Sequence, residues 1–252
     1  MNHAWNDAVL VDTHCHVDLF PDTAALLREI ETHRILVIAV TNVPSVFFHT
    51  KKLAETCRYL LPAIGLHPEL VKSHHHELDE FRRLVRQARF VGEVGLDHVT
   101  SDKTLRLRQR QTFMEILSCC NDHGGKVLTV HSRRAATDVI SSIGPRFNGT
   151  IVLHWFTGTI QDAEQALENG FYFSVNPAMT IASSSEKLLG MLPRDRVLTE
   201  TDGPFVKWGT KPAMPVQTAN VAKHLSTLWG LGEAETRELL MTNFKRIVSS
   251  AD

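Results

Sequence analysis

Eight short apolar runs rich in β-branched residues recur along the chain: AVLVD (8–12), ILVIAV (35–40), LLPAIGL (60–66), FVGEVGL (90–96), VLTV (127–130), TIVLH (150–154), FYFSV (171–175) and RVLTET (196–201). Most are continuous rather than alternating, the pattern of strands buried on both faces. Between them lie stretches with helical spacing at 23–33, 45–57, 77–88, 104–123, 134–143, 161–170, 185–192 and 216–230, and a closing helix is expected over 232–250. Regular alternation of strand and helix predicts an α/β fold with a parallel sheet. Eight such units in 252 residues match a (β/α)8 TIM-type barrel in count and length, whereas a doubly wound open sheet closes with fewer strands. No Pro/Gly/Ser-rich linker divides the sequence, so one domain over 1–252 is expected.

Composition narrows the function classes. Hydrophobic residues make up 43% and charged ones 22%, which excludes a disordered chain. With 27 Lys and Arg against 28 Asp and Glu, there is no global basic field, so any phosphate binding must be local. The opening MNHAWNDAVLVDTHCH lacks a basic segment followed by an apolar one, and no window has the apolar length of a membrane span. Cys15, Cys57, Cys119 and Cys120 show no CxxC spacing and read as reduced thiols. A cytoplasmic protein with no membrane partner is the expectation.

Function shows at the strand ends. His14 and His16 follow the first strand, Glu93 lies in the fourth, His131 and His154 end the fifth and sixth, and Asp202 follows the eighth. In a barrel the carboxyl ends of the strands form one face, where active sites assemble. The HxH spacing puts both imidazoles on one side of an extended segment with Cys15 turned away; the plain alternative is two polar residues at a strand end. Glu93, inside an apolar run, is costly as an ion unless it meets a cation, the alternative being an arginine pair. Either His131 or His154 alone would read as a hydrogen-bonded core histidine. Asp202 precedes Gly203-Pro204, a turn expected to expose its carboxylate; a simple turn-forming Asp is the alternative. Nitrogen and carboxylate ligands without thiolate suit Zn, Mn, Fe or Mg. One or two divalent ions are expected, and six ligands favour two, bridged by Glu93.

The segments DTHCH, GLHPE, GEVGLD, VHSR, HWFTG and TETDGPF, in this order over positions 12–205, resemble the TatD family of metal-dependent hydrolases, in the amidohydrolase-like barrel superfamily. The resemblance implies a metal-dependent deoxyribonuclease or phosphoesterase with nucleic acid, DNA first, as substrate, and with His14, His16, Glu93, His131, His154 and Asp202 as ligands. AVTNVPSVF, GLHPEL, VHSRRAA, LHWFTG, FYFSVNPAM and TETDGPF further resemble the QatD-like branch that accompanies Qat anti-phage systems, which implies protein partners in a defence assembly. Trp155 and the NPA turn at 176–178 depart from the broad family beside the pocket.

On this reading Asp202 and Glu93 are the catalytic carboxylates, Asp202 accepting the proton of the attacking water. Asp97 is expected to stand behind a ligand, and Glu200 to orient one. His67 is assigned to a phosphate oxygen or the leaving group, against a turn-capping loop histidine; Arg133 is assigned to a phosphate fork, against a structural ion pair. Trp155, Phe156 and Phe205 are candidates to stack a base, against ordinary loop packing. His74, His75 and His76 are expected in solvent. Two rival readings remain: an amide or ester hydrolase of the same superfamily, weakened because Glu93 stands where a carbamylated lysine would be needed, and a non-catalytic scaffold.

Overall fold

The computed structural model describes residues 7–249; the first residues of the amino-terminal stretch and position 250 of the expected closing helix lie outside them. The eight expected strands are present as β1 (Leu10–Cys15), β2 (Ile35–Ala39), β3 (Leu60–Ile64), β4 (Phe90–Gly95), β5 (Lys126–His131), β6 (Gly149–His154), β7 (Tyr172–Val175) and β8 (Val197–Thr199). They form one sheet in sequential order, every adjacent pair parallel. The continuous apolar runs are explained by burial on both faces: all residues of β1, β2, β4, β7 and β8 are buried.

The sheet curls until β8 meets β1, and side chains hold the seam. The hydroxyl of Thr13 donates to the Thr199 carbonyl at 3.1 Å, and that of Thr199 donates to the Val11 carbonyl. Above the strands, Asp202 N–H donates to His14 O and His16 N–H to Gly203 O, both at 2.8 Å. The closure therefore carries the chain around Asp202 directly over the end of β1. Among the described residues, no helix is long and apolar enough to cross a membrane.

Helices cover the outside: α1 (Thr23–His33), α2 (Phe47–Ala54), α3 (Val71–His74), α4 (Leu78–Leu84), α5 (Lys103–His123), α6 (Ala136–Ile143), α7 (Ile160–Glu168), α8 (Pro177–Ile181), α9 (Ser183–Met191), α10 (Thr218–Trp229) and α11 (Glu233–Ser249). Phe81 of α4 and Phe113 of α5 pack with Val91 and Val94 of β4, while Phe244 and Ile247 of α11 pack with Leu10 and Val11 of β1. Full burial of such side chains contributes about 1.5–3 kcal/mol each. The sequence pattern did not indicate α8, which Pro177 and the Asn176 side chain start together, the latter accepting from Met179 N–H. Nor did it indicate the small antiparallel hairpin of β9 (Lys207–Trp208) and β10 (Lys211–Pro212).

Two irregularities in the barrel matter most for function. Asp12 pairs with Val37 and Cys15 with Ala39, so β1 carries one extra residue against β2. Val91 pairs with Leu128 and Val94 with Val130, so β4 does the same against β5. Such bulges re-aim side chains, and the two bulged stretches contain His14 and Glu93.

Candidate metal centre

All six proposed ligands meet at the carboxyl ends of the strands. Glu93, 3% exposed, occupies the middle, and its two oxygens face different groups. Oε2 lies 3.5 Å from His14 Nε2 and 3.2 Å from His16 Nε2. Oε1 lies 2.6 Å from His131 Nδ1, 2.8 Å from His154 Nε2 and 3.2 Å from His67 Nε2. Asp202 Oδ1 completes the first group, 3.7 Å from His14 Nε2 and 3.5 Å from His16 Nε2. Close backbone approach makes this density possible. A Cβ on Gly65 would sit 2.3 Å from Glu93 N, and at Gly95 (φ +142°) it would sit 2.1 Å from the His131 carbonyl oxygen.

The donor set fits a cation. His14 Nε2 and both ring nitrogens of His16 are buried without an aligned hydrogen-bond partner, an arrangement that costs about 1–3 kcal/mol per group unless something else satisfies it. Ligand atoms of a tetrahedral ion with bonds near 2.1 Å stand about 3.4 Å apart, and the four histidine-to-carboxylate separations among His14, His16, Glu93 and Asp202 run from 3.2 to 3.7 Å. On the other side Asp97 Oδ2 accepts from His131 Nε2–H at 2.9 Å. Neutral His131 thus turns the Nδ1 lone pair toward Glu93 Oε1, and two acceptors 2.6 Å apart require a positive charge between them, from a proton or a metal.

Titration directions follow from the mutual attraction of the buried carboxylates and imidazoles. Burial alone would raise Glu93, but the histidines His67, His154 and His131 outweigh it and hold its carboxyl well below the usual range. Burial alone would lower the imidazoles, yet Glu93 keeps His154 well above its ordinary value and His131 above it. Against the same burial, Asp202 and Glu93 push His16 up to about 9. His14 goes the other way, lowered by burial and by His154, whose ring stacks on it at 3.8 Å.

Asp97 and Glu200 stand behind His131 and His154. Asp97 braces His131, and its other oxygen accepts from Val99 N–H at 2.8 Å. Hydrogen bonds from His131 and Val99 overcome burial and hold Asp97 below the usual carboxylate range. Glu200 Oε1 accepts from Trp155 N–H at 2.9 Å and Asn176 Nδ2 at 3.1 Å, Oε2 accepts from the Ser174 hydroxyl, and Oε1 faces His154 Nδ1 at 3.7 Å. Sequence reasoning missed Thr129, whose hydroxyl meets His14 Nδ1 at 2.6 Å. It also missed Asp12, a buried acid that accepts from His14 N–H and Thr201 N–H at 3.1 and 3.0 Å. Burial pushes Asp12 up to about 8. The signal was present, because AVLVD is an apolar run that ends on an acid, as telling as Glu93 in its own run.

A cavity of about 450 Å³ opens above the centre, lined by His67, Glu93, Arg133, Arg134, Trp155 and Phe205 among others. His67 Nδ1 accepts from Glu69 N–H at 3.1 Å, so the proton of a neutral ring resides on Nε2. Although its nitrogen lies close enough to Glu93 and His131 for a ligand, the ring is therefore a donor aimed into the centre. Arg133 is exposed and makes no direct ion pair among the described residues, while its charge helps to hold Asp97 down.

Three expectations need correction or limits. Asp202 is 4% exposed, not displayed to solvent, because its carbonyl accepts from Phe205 N–H and Val206 N–H at 2.9 and 3.1 Å and folds the following chain back over the barrel mouth. Phe156 is 1% exposed and packs edge-on against Phe173 of β7, so it belongs to the core and is not available to stack a base. Trp155 and Phe205 do line the cavity, Phe205 edge-on to His16 with ring centres 4.9 Å apart. Finally, His75 and His76 are exposed while His74 is half-buried within α3.

The sequence profile described as TatD related DNase matches residues 11–249. YcfH of Escherichia coli K12, an uncharacterized metal-dependent hydrolase, is 27% identical over 94% of this chain and 95% of its own. The crystal structure of YjjV, a TatD homolog from the same organism, superposes with a TM-score of 0.84 at 27% identity, covering 95% of this chain and 98% of that one. The phosphotriesterase homology protein of Escherichia coli, solved with phosphate in its active site, covers 92% of this chain and 97% of its own with a TM-score of 0.62 at 13% identity, a likeness of fold alone.

Proposed function

Because the chain belongs to the family of TatD-related metal-dependent hydrolases, we propose that it is a deoxyribonuclease that cleaves phosphodiester bonds with a metal-activated water, using two divalent ions. The observation that carries the proposal is the division of Glu93, with one oxygen facing His14 and His16 and the other facing His131 and His154. A carboxylate placed in this way suits a bridge between two ions. His14, His16 and Asp202 would hold one ion and His131 and His154 the other.

When bound, the ions lower the pKa of a water and neutralise charge on the phosphoryl oxygens. Asp202, at the edge of the cavity and against His14 and His16, accepts the proton of the attacking water. Nε2–H of His67 donates to a phosphoryl oxygen or the leaving oxygen, and the unpaired fork of Arg133 takes a second oxygen. Trp155 and Phe205 flank the base of the reacting nucleotide.

The test is turnover of DNA oligonucleotides, beside a panel of lactones and amides, after chelation and after return of Mn, Zn or Mg. Hydrolysis of the oligonucleotides is expected, restored by metal and lost in Glu93→Ala. Hydrolysis of the lactone or amide panel instead would overturn the nuclease reading. Asp202→Asn should lose about 100-fold or more of turnover, and retained turnover with normal metal content would remove Asp202 as the base. The finer placement in the QatD-like branch, with a role and protein partners in anti-phage defence, rests on the sequence stretches alone. Its test is phage protection by cells carrying Glu93→Ala, where undiminished protection would leave only the scaffold role.

A further inference from the structure

The hairpin of β9 and β10 hangs on the segment that carries Asp202 and has no part in the fold's core. Its root is firm: Ala213 N–H donates to Val206 O at 2.8 Å, and both residues are buried. Its arms are not buried, since Lys207, Trp208, Lys211 and Pro212 are all exposed. In the antiparallel register Lys211 stands opposite Trp208, so a cation and an aromatic ring share one face of the ribbon.

Two features set this ribbon apart from an ordinary solvated turn. Among the described residues only three aromatic side chains are exposed, Phe48, Phe205 and Trp208. Two of the three are separated by only two residues, one on the cavity wall and the other on the ribbon. The charge distribution is equally uneven. The 30 residues from Gly203 to Gly232 contain Lys207, Lys211 and Lys223 and no Asp or Glu, in a chain whose acids outnumber its Lys and Arg by 28 to 27. Neither hairpin lysine is in an ion pair among the described residues. Exposed rings interleaved with unpaired cations are how proteins hold single-stranded nucleic acid without reading its sequence.

The geometry points to a single-stranded polynucleotide track that leaves the cavity past Phe205 and runs along the hairpin, its bases stacked on Trp208 and its phosphates on Lys207 and Lys211. This rests on the nuclease reading above and extends its site beyond the cavity: the hairpin holds the part of the strand that lies outside the reacting nucleotide. A paired base offers no free face to the Trp208 ring, so a duplex gains only the lysine contacts.

The decisive experiment compares the manganese-loaded wild type with Lys207→Gln/Trp208→Ala/Lys211→Gln and with Lys207→Gln/Lys211→Gln, on thymidine dinucleotide and dodecanucleotide. In the triple variant kcat/KM for the dodecanucleotide should fall through KM by roughly 5- to 150-fold from the lost stacked base alone, and further with the two lost phosphate contacts. The dinucleotide, too short to reach the ribbon, should change less than about twofold, which also verifies folding. In the lysine variant the slope of log KM against log salt should drop by about 1.4, for two phosphate contacts. A length preference retained by the triple variant would overturn the track. If the wild type cleaves neither substrate, the nuclease reading fails on its own. Anisotropy of labelled dodecathymidylate then decides the hairpin, with weakened binding by the triple variant supporting the track and unchanged binding overturning it.

Discussion

Asp97→Asn removes one hydrogen-bond acceptor and leaves the shape of the side chain almost unchanged. Both Asp97 oxygens accept from groups that have no other option: Val99 N–H at 2.8 Å and His131 Nε2–H at 2.9 Å. An asparagine offers one oxygen and one NH2, so one donor must face another donor in a site where residue 97 is 1% exposed. If the backbone keeps the oxygen, His131 escapes the clash by moving its proton to Nδ1, the atom that faces Glu93 and would coordinate. Leaving a buried donor unpaired costs about 1–3 kcal/mol. Removing the group behind a metal-bound histidine weakens binding by about 10–100-fold, or about 1.4–2.7 kcal/mol. Titration of metal-free protein against a chromophoric chelator should show that loss, with the metal-free fold intact by circular dichroism. Glu200→Gln supplies the contrast. Its amide can face Ser174, whose hydroxyl rotates to accept, while its oxygen keeps Trp155 N–H and Asn176, so its loss should be under about tenfold. Equal affinities for Asp97→Asn and wild type would refute the proton placement on His131.

His67→Gln should lower kcat by about 100-fold or more while metal content stays constant, as for loss of one donor to developing charge; measured metal loss would instead make His67 a ligand. The pH dependence has a fixed sign. In the metal-free protein His16 rises from 6.5 to about 9 because Asp202 and Glu93 outweigh its burial. That contribution to stability is fully present below about 6.5 and fades as pH climbs through about 9. Metal must displace the same proton, so metal affinity should rise up to tenfold per pH unit across this window and flatten above it. Calorimetric melting of metal-free and loaded protein across the window should show the two diverging, and parallel curves would contradict the role of His16 as a ligand.

The barrel was legible because eight apolar runs buried on both faces leave few alternatives once helices alternate with them, and the ligand positions were legible because polar residues at the ends of such runs need a reason to be there. The same logic applies to Asp12 and Thr129. Each is a polar residue inside an apolar run, and each braces His14 from behind. The bulges in β1 and β4 could not be foreseen, since one extra residue in a strand leaves no mark on composition or period. Yet they decide which way His14 and Glu93 turn.

Trp155 and Phe156 show where residue type stops being informative. Both are aromatic and both follow the end of β6 at His154, yet one lines the cavity and the other packs on Phe173 in the core. What separates them is backbone conformation. Trp155 adopts φ +38°, a left-handed state that costs a non-glycine residue about 1–3 kcal/mol and needs outside support. That support is the bond from Trp155 N–H to Glu200, an acid just past the end of β8 that also faces His154. Arg134 and Asp202, at φ +55° and +49°, line the same cavity. Three of the four left-handed non-glycine residues among those described therefore surround one opening, while the fourth, Arg34, ends α1. The contacts that hold Trp155 and Asp202 come from distant strands, Glu200 after β8 and His14 of β1, so the side-chain directions there are settled by long-range pairing and are invisible to a local reading of the chain.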